Sequence, residues 1–318
     1  AVSPSEYELF TMRLPEPRIP FKDGVGGEST RGIHRLIATT QPRYYRLKYA
    51  GGLSPKASRA APDKGSTVHL AVAYKYGFKL PAEEQPGWLH EMSLEERWAL
   101  EPTYYRDEYV RIARSYMRFY DLRTEGEPWE PACPPEREFF LRLDQMPEIA
   151  AEATRLGVGD EVVSGRLDLP VFTNGLIWPV DHKSTSWTRG DSLGNFNTDS
   201  PEYALPLQMM FQVRLLRAAY GEELVGRPII QRLKIKEPYD MDRNVLIVPP
   251  HAYAKSAYTI LQRVLAEREL KRRIAAREPI EDCYWACQGR YGACDFLPIC
   301  KTTPEHVPDV IQLEFNQE

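Results

Sequence analysis

Two short stretches carry the residues best suited to chemistry: Gly165-Arg166-Leu167-Asp168 and Val180-Asp181-His182-Lys183-Ser184-Thr185. Between them lies Asn174-Gly175, the strongest short-range hairpin signal. A two-residue turn there pairs Thr173 with Leu176, and counting back sets Pro170 against Pro179 and Asp168 against Asp181. Pair types alternate away from such a turn. Asp168 and Asp181 are therefore expected at a non-hydrogen-bonded pair, with Cα atoms ~4.5 Å apart and side chains on one face. Lys183 lies two residues beyond Asp181 and shares that face. Like charges directly opposite destabilise a sheet, and a hard divalent cation between them removes the penalty. Two carboxylates suit Mg²⁺ or Mn²⁺, which usually keep several waters. Such an ion acidifies a bound water and neutralises charge on a phosphate. A neighbouring lysine would orient that water or stabilise negative charge developing on phosphorus.

The elements that must hold these groups are legible in outline. Helices are expected at residues 65–76, from Ser93, where Ser93 and Glu96 fit a capping box, and at residues 103–121. The last has an apolar stripe of Tyr109, Ile112, Ala113, Tyr116 and Tyr120 at helical spacing. Strands are expected at 138–143, 161–169 and 176–183, then a helix at 202–220, a strand at 228–236 and an amphipathic helix at 253–277. This order reads as α/β (α+β), not a bundle. Pro170 and Pro179 are unwelcome in central strands. Facing each other at a non-hydrogen-bonded pair, they cost the hairpin nothing, but they forbid outer neighbours, so the hairpin tip is expected to project beyond the main sheet.

The 318 residues are 42% hydrophobic with a formal net charge of -4, enough for one elaborated domain or two. An extended lead-in is expected at 1–30, a helical part at 31–135, a core at 136–250 and a helix with a cysteine tail at 251–318, together forming one integrated unit. No run of about 18 apolar residues exists, so no membrane-spanning helix is expected. The polar N-terminus lacks an apolar signal core, which makes the cytoplasm (a host's, for a viral protein) the default. A mildly negative total is compatible with a local basic groove for nucleic acid. Basic residues cluster at 43–48 and 271–273.

The acid on one strand, followed by acid-x-lysine on the next, resembles the PD-(D/E)XK nuclease superfamily. Further segments are similar to its RecB-type exonuclease branch, which includes CRISPR-associated and phage members. Gly65-Ser66-Thr67-Val68-His69 resembles that branch's Gly-x-x-x-His helix start, which implies that His69 joins the metal site with Asp168 and Asp181. Leu207-Gln208-Met209-Met210-Phe211-Gln212 looks like its Gln-x-x-x-Tyr helix, which implies that Gln208 positions the scissile strand. Gln212 stands where the tyrosine is expected. Gln41-Pro42-Arg43-Tyr44-Tyr45 resembles the Cys-Pro-x-x-Tyr segment, with Gln41 in place of a cysteine that ligates an iron–sulfur cluster in some members. Glu138, with Glu136 as competitor, is a candidate for a further acid on the strand before the hairpin. The resemblance spans residues 30–300 and implies a restriction-endonuclease-like core with a short mixed sheet flanked by helices.

Cys283, Cys287, Cys294 and Cys300 fall within 18 residues. In a cytosolic type of chain this favours metal over disulfide. The resemblance implies a [4Fe–4S] cluster, with Zn²⁺ the alternative and reduced thiols the plain reading. Cys133 reads as a free thiol and an outside candidate for a ligand.

The resemblance implies a metal-dependent DNA nuclease. Asp168 and Asp181 would bind the metal with His69, Lys183 would act on the attacking water, and Gln208 would place the strand. An exonuclease at single- or double-stranded DNA ends, in recombination, repair or phage DNA metabolism and alongside a recombination or helicase partner, is the expected form. The alternative is a non-catalytic DNA-binding or assembly subunit with the same fold. No Walker-type loop for an ATPase is present.

Overall fold

The computed structural model describes residues 14–24, 29–55, 60–100, 106–124, 129–185, 205–234, 240–280, 288–289, 292–293, 296–301 and 304–317. The N-terminal part holds β1 (Phe21–Lys22), α1 (Ile33–Ala38), α2 (Pro42–Tyr45), β2 (Leu53–Pro55), α3 (Ala60–Gly77), α4 (Trp88–Glu91), α5 (Leu94–Ala99) and α6 (Arg106–Thr124). The central part holds β3 (Glu130–Pro131), β4 (Arg137–Arg142), α7 (Ala150–Arg155), β5 (Val162–Leu167), β6 (Leu169–Thr173), β7 (Leu176–Thr185), α8 (Leu205–Tyr220), β8 (Ile229–Lys234) and β9 (Asp240–Val245). The C-terminal part holds α9 (Pro250–Ala275), β10 (Gln288–Gly289), β11 (Gly292–Ala293), α10 (Leu297–Lys301), α11 (Val307–Glu314) and β12 (Phe315–Gln317). This is the expected mixed α/β architecture. β3 and β9 have no counterpart among the expected strands, and α3 begins at Ala60, so Gly65 lies inside the helix.

Two sheets matter for the site, with strand orders β1-β4-β5 and β3-β6-β7-β8-β9. β7 and β8 are parallel, and α8 lies in the crossover that a parallel pair requires. The expected strand at 161–169 divides into β5 and β6, one in each sheet. Residues 130–142 run antiparallel to 162–172 across both sheets, from Glu130↔Phe172 to Arg142↔Val162. Between Pro131 and Arg137 there are six steps, against four between Leu167 and Val171, so one strand carries a two-residue bulge. Glu136 closes it at φ 61°, and its N–H donates to the Leu167 carbonyl at 2.9 Å. Asp168 is the bend between β5 and β6. Bulges of this kind bend a strand and re-aim its side chains.

The hairpin has the register that Asn174-Gly175 dictates, from Thr173↔Leu176 through Pro170↔Pro179 to Leu169↔Val180. Asn174 and Gly175 both have positive φ, 52° and 74°. The ladder stops one pair short of the two acids. Asp168 is thus not a ladder partner of Asp181, which corrects the expected cross-strand pair. The tip is also not free. Pro131 pairs with Val171, and the Ala132 N–H donates to the Pro170 carbonyl at 2.9 Å. A proline lacks a donor but keeps its acceptor, so an outer neighbour can still bond to it. On the other edge, regular β7–β8 pairing begins at Val180, immediately after Pro179.

Each sheet has its own core. Val68, Ala71, Val72 and Tyr76 of α3 meet Ile112, Ala113 and Tyr116 of α6 over Leu169, Val171, Val180, Ile229 and Met241. Phe139, Leu141, Val163 and Leu167 of the smaller sheet pack with Phe211, Leu215 and Leu216 of α8 and Ile260, Leu261 and Val264 of α9. Gly165 is where α8 closes on β5: a Cβ there would lie 2.4 Å from Leu215 Cδ1 and 3.1 Å from Phe211 Cε1. At the far end of α9, buried Glu267 receives Arg31 at 2.6 Å, Arg35 at 2.9 Å and the Tyr45 hydroxyl at 2.6 Å, which ties α1 and α2 to α9.

Candidate metal centre

α3 brings His69 to the break between the sheets. His69 Nε2 lies 2.9 Å from the His182 carbonyl oxygen. A carbonyl only accepts, so Nε2 carries the hydrogen, and Nδ1 is the nitrogen 3.6 Å from Asp168 Oδ2. Asp168 Oδ2 also accepts the His182 backbone N–H at 2.8 Å, so the carboxylate caps the ladder where strand pairing ends. Glu136 enters from the bulge opposite. His69, Glu136 and Asp168 each offer a ligand atom, and these atoms lie within 4.8 Å of one another.

Asp181 and Lys183 share the face of β7 that looks toward α8, as the period of two requires. Asp181 is fully buried. Its Oδ1 accepts Gln208 Nε2 at 2.9 Å and Gln212 Nε2 at 3.1 Å, and its Oδ2 lies 2.7 Å from Lys183 Nζ. His182 points to the opposite face, buried against α3, with its ring 5.7 Å from that of His69. Burial pushes the His182 imidazole down, against the pull of Asp168.

Burial, then Asp168, pushes the Glu136 carboxyl up to about 8, with Arg166 opposing and Asp181 adding to the rise. Burial also works against the Asp168 carboxylate, yet His69, the His182 hydrogen bond and Lys183 hold it well below the usual carboxylate range. The two acids meet across the bulge, and their like charges add to burial in pushing the Glu136 carboxyl up, a crowding that a cation would relieve. One imidazole beside carboxylates is a donor set for a hard or borderline divalent cation such as Mg²⁺ or Mn²⁺.

The structure brings His69 and Asp168 together with Glu136, expected only as the competitor of Glu138, and Asp181 together with Lys183, Gln208 and Gln212. Glu138, preferred as the extra acid, is buried elsewhere: its carboxylate accepts the Thr30 N–H at 2.6 Å and the Thr30 hydroxyl at 3.2 Å, and Arg166 lies 3.8 Å away. Glu136 takes the place opposite Asp168 instead, because the bulge shifts the register. Gln212, discounted for not being tyrosine, reaches Asp181. A signal for it was available, since residues four apart share a helix face. Cys283, Cys287 and Cys294 lie outside the described residues. Cys300 is half-buried on α10. Cys133 is buried in the core of the smaller sheet, and burial pushes its thiol up to about 11 despite Arg137.

A solved structure of a candidate exonuclease from Eubacterium rectale has a TM-score of 0.44 at 10% identity, covering 80% of this chain and 84% of that one. The crystal structure of SSO0001 has a TM-score of 0.30 at 12% identity, covering 84% of this chain and 94% of that one. No curated protein matches the sequence. No helix among the described residues is long and apolar enough to cross a membrane. Residues 38–301 match the PD-(D/E)XK nuclease superfamily, and with most of its length so matched the chain belongs to that superfamily.

Proposed function

We propose that this protein is a divalent-metal-dependent DNA exonuclease of the RecB type, acting at DNA ends in recombination, repair or phage DNA metabolism. The observation that carries the reading is the convergence of His69, Glu136 and Asp168 within 4.8 Å, beside the Asp181–Lys183 pair. His69 through Nδ1, Glu136, Asp168 and Asp181 through Oδ2 are the groups to hold Mg²⁺ or Mn²⁺. When bound, the ion supplies charge neutralisation at the phosphate and a more acidic water. Hydrolysis joins the oxygen of water to phosphorus, breaks one phosphorus–sugar oxygen bond, and leaves that sugar oxygen protonated. The Lys183 ammonium stabilises the negative charge that builds on phosphorus during attack. Gln208 holds Asp181 in place and faces the strand being cut. At the tail, a [4Fe–4S] cluster is the first reading and Zn²⁺ the second. Metal analysis and an absorption spectrum of anaerobic protein distinguish them from reduced thiols.

The test incubates the full chain with linear and circular DNA, single- and double-stranded, in Mg²⁺, Mn²⁺ or EDTA. Expected is metal-dependent degradation of linear DNA, abolished by Asp181→Asn. Cleavage that persists in EDTA sinks the reading. Salt-sensitive DNA binding without cleavage in either metal replaces it with a non-catalytic DNA-binding subunit.

A further inference from the structure

Gln212 is 3% exposed on α8, one turn beyond Gln208. Both amide nitrogens donate to one oxygen, Asp181 Oδ1, at 2.9 and 3.1 Å. Gln212 Oε1 is buried and has no hydrogen-bond partner among the described residues. The opposite amide orientation would set Oε1 against the carboxylate, so Asp181 itself assigns the amide's direction. An unsatisfied buried acceptor is destabilising, and here it sits in a polar site beside a buried carboxylate. Such a place suits an ordered water with several polar partners.

We propose that Gln212 is a positioning residue for Asp181: with Gln208 it grips Oδ1, leaving Oδ2 as the oxygen offered to a divalent cation, and its own Oε1 accepts a hydrogen bond from an ordered water beside that ion. This rests on the metal-site reading above. Two donors on one carboxylate oxygen occupy its lone pairs and direct Asp181 to bind a cation through one oxygen. Lys183 Nζ lies on the Oδ2 side at 2.7 Å. Partners that orient a metal ligand typically matter 10–100-fold for metal affinity.

The test is calorimetric titration of the full chain with Mn²⁺ alone, without DNA, on wild type, Gln212→Met, Gln208→Met and the double variant. Thermal midpoints are measured in EDTA. Expected is about tenfold weaker Mn²⁺ binding by Gln212→Met; its metal-free midpoint reads separately the loss of one donor to Asp181 against the removal of an orphan acceptor. A purely structural glutamine would leave the Mn²⁺ affinity alone, whatever the midpoint does. Since both amides hold one oxygen, the double variant should lose less than the product of the two single losses. Gln212→Leu repeats the measurement should the methionine variant not fold. Unchanged Mn²⁺ affinity in the Gln212 variant, with wild type binding Mn²⁺, overturns this inference alone. A wild type that binds no Mn²⁺ overturns the metal-site reading and this inference with it.

Discussion

Three carboxylates and one lysine carry the proposed chemistry. Lys183 lies 2.7 Å from Asp181, so Lys183→Ala removes the ammonium that balances a buried acid as well as the charge that would meet phosphorus. Its expected cost is about 10²-fold in cleavage rate, with metal binding retained; rates of linear DNA degradation at saturating Mn²⁺ check this. Glu136 makes a separate prediction for metal-free protein. Its carboxyl is raised to about 8 in the fold, so above pH about 4.5, its ordinary value, the native state holds a proton that the unfolded chain has released. Stability must then fall as pH rises from there toward 8 and level off beyond it. Urea midpoints in EDTA at pH about 5 and about 8.5 measure the slope, and Glu136→Gln should flatten it. An unchanged slope in that variant would place the high-titrating proton elsewhere. Of these residues, the shared face of Asp181 and Lys183 was legible from strand periodicity, while the ladder pair that the Asn-Gly turn led one to expect for Asp168 does not form. Glu136 was not legible, because its place depends on a bulge between strands far apart in sequence.

Close packing of α8 on β5 brings its two glutamines over Asp181. Gly165 is the residue that permits it, since a Cβ would overlap the Leu215 methyl at 2.4 Å and press on Phe211 at 3.1 Å. Gly165→Ala should therefore destabilise the protein by about 1–3 kcal/mol and reduce cleavage, even though Gly165 touches no reacting group. Chemical denaturation and linear-DNA assays on the same preparation test both. A second element-scale joint is the buried Glu267, whose carboxyl is held below its ordinary value despite burial by the Tyr45 hydroxyl, Arg31 and Lys271. Its contribution is present above the unfolded value and lost on acidification. Glu267→Ala should cost about 3–5 kcal/mol by stranding Arg31 and Arg35, read as a shift in the denaturation midpoint at neutral pH. Helix phases were readable where a stripe was present: Tyr109, Ile112, Ala113 and Tyr116 are all fully buried, and the Ser93–Glu96 capping box forms. The salt-bridged joint at Glu267 was not readable, because nothing local marks which glutamate of an amphipathic helix will be buried.

At the scale of the molecule, the site lies where two sheets with separate cores share one bent antiparallel ribbon. A cation bound there would link both sheets and α3, so Mg²⁺ or Mn²⁺ should raise the thermal midpoint by mass action, and EDTA should return it. Asp168→Asn should abolish the metal-induced shift while keeping the fold; a shift that survives would mean the ion binds elsewhere. By itself the sequence determined what local geometry controls: the hairpin turn and its register, the common face of Asp181 and Lys183, and the apolar stripe of the helix at Tyr109–Tyr116, whereas His69 and Gln208 were marked only by the family resemblance. The local features follow from turn torsions and from periods of 2 and 3.6, which act within a few residues. Only the tertiary structure decided that the ladder ends before Asp168, that Glu136 rather than Glu138 meets it, and that Gln212 joins Gln208 on Asp181. Each of those depends on how residues 130–142 pair with 162–172 across two sheets, and on how closely α8 settles against Gly165. Such a balance of packing and hydrogen bonding involves segments that no local pattern connects.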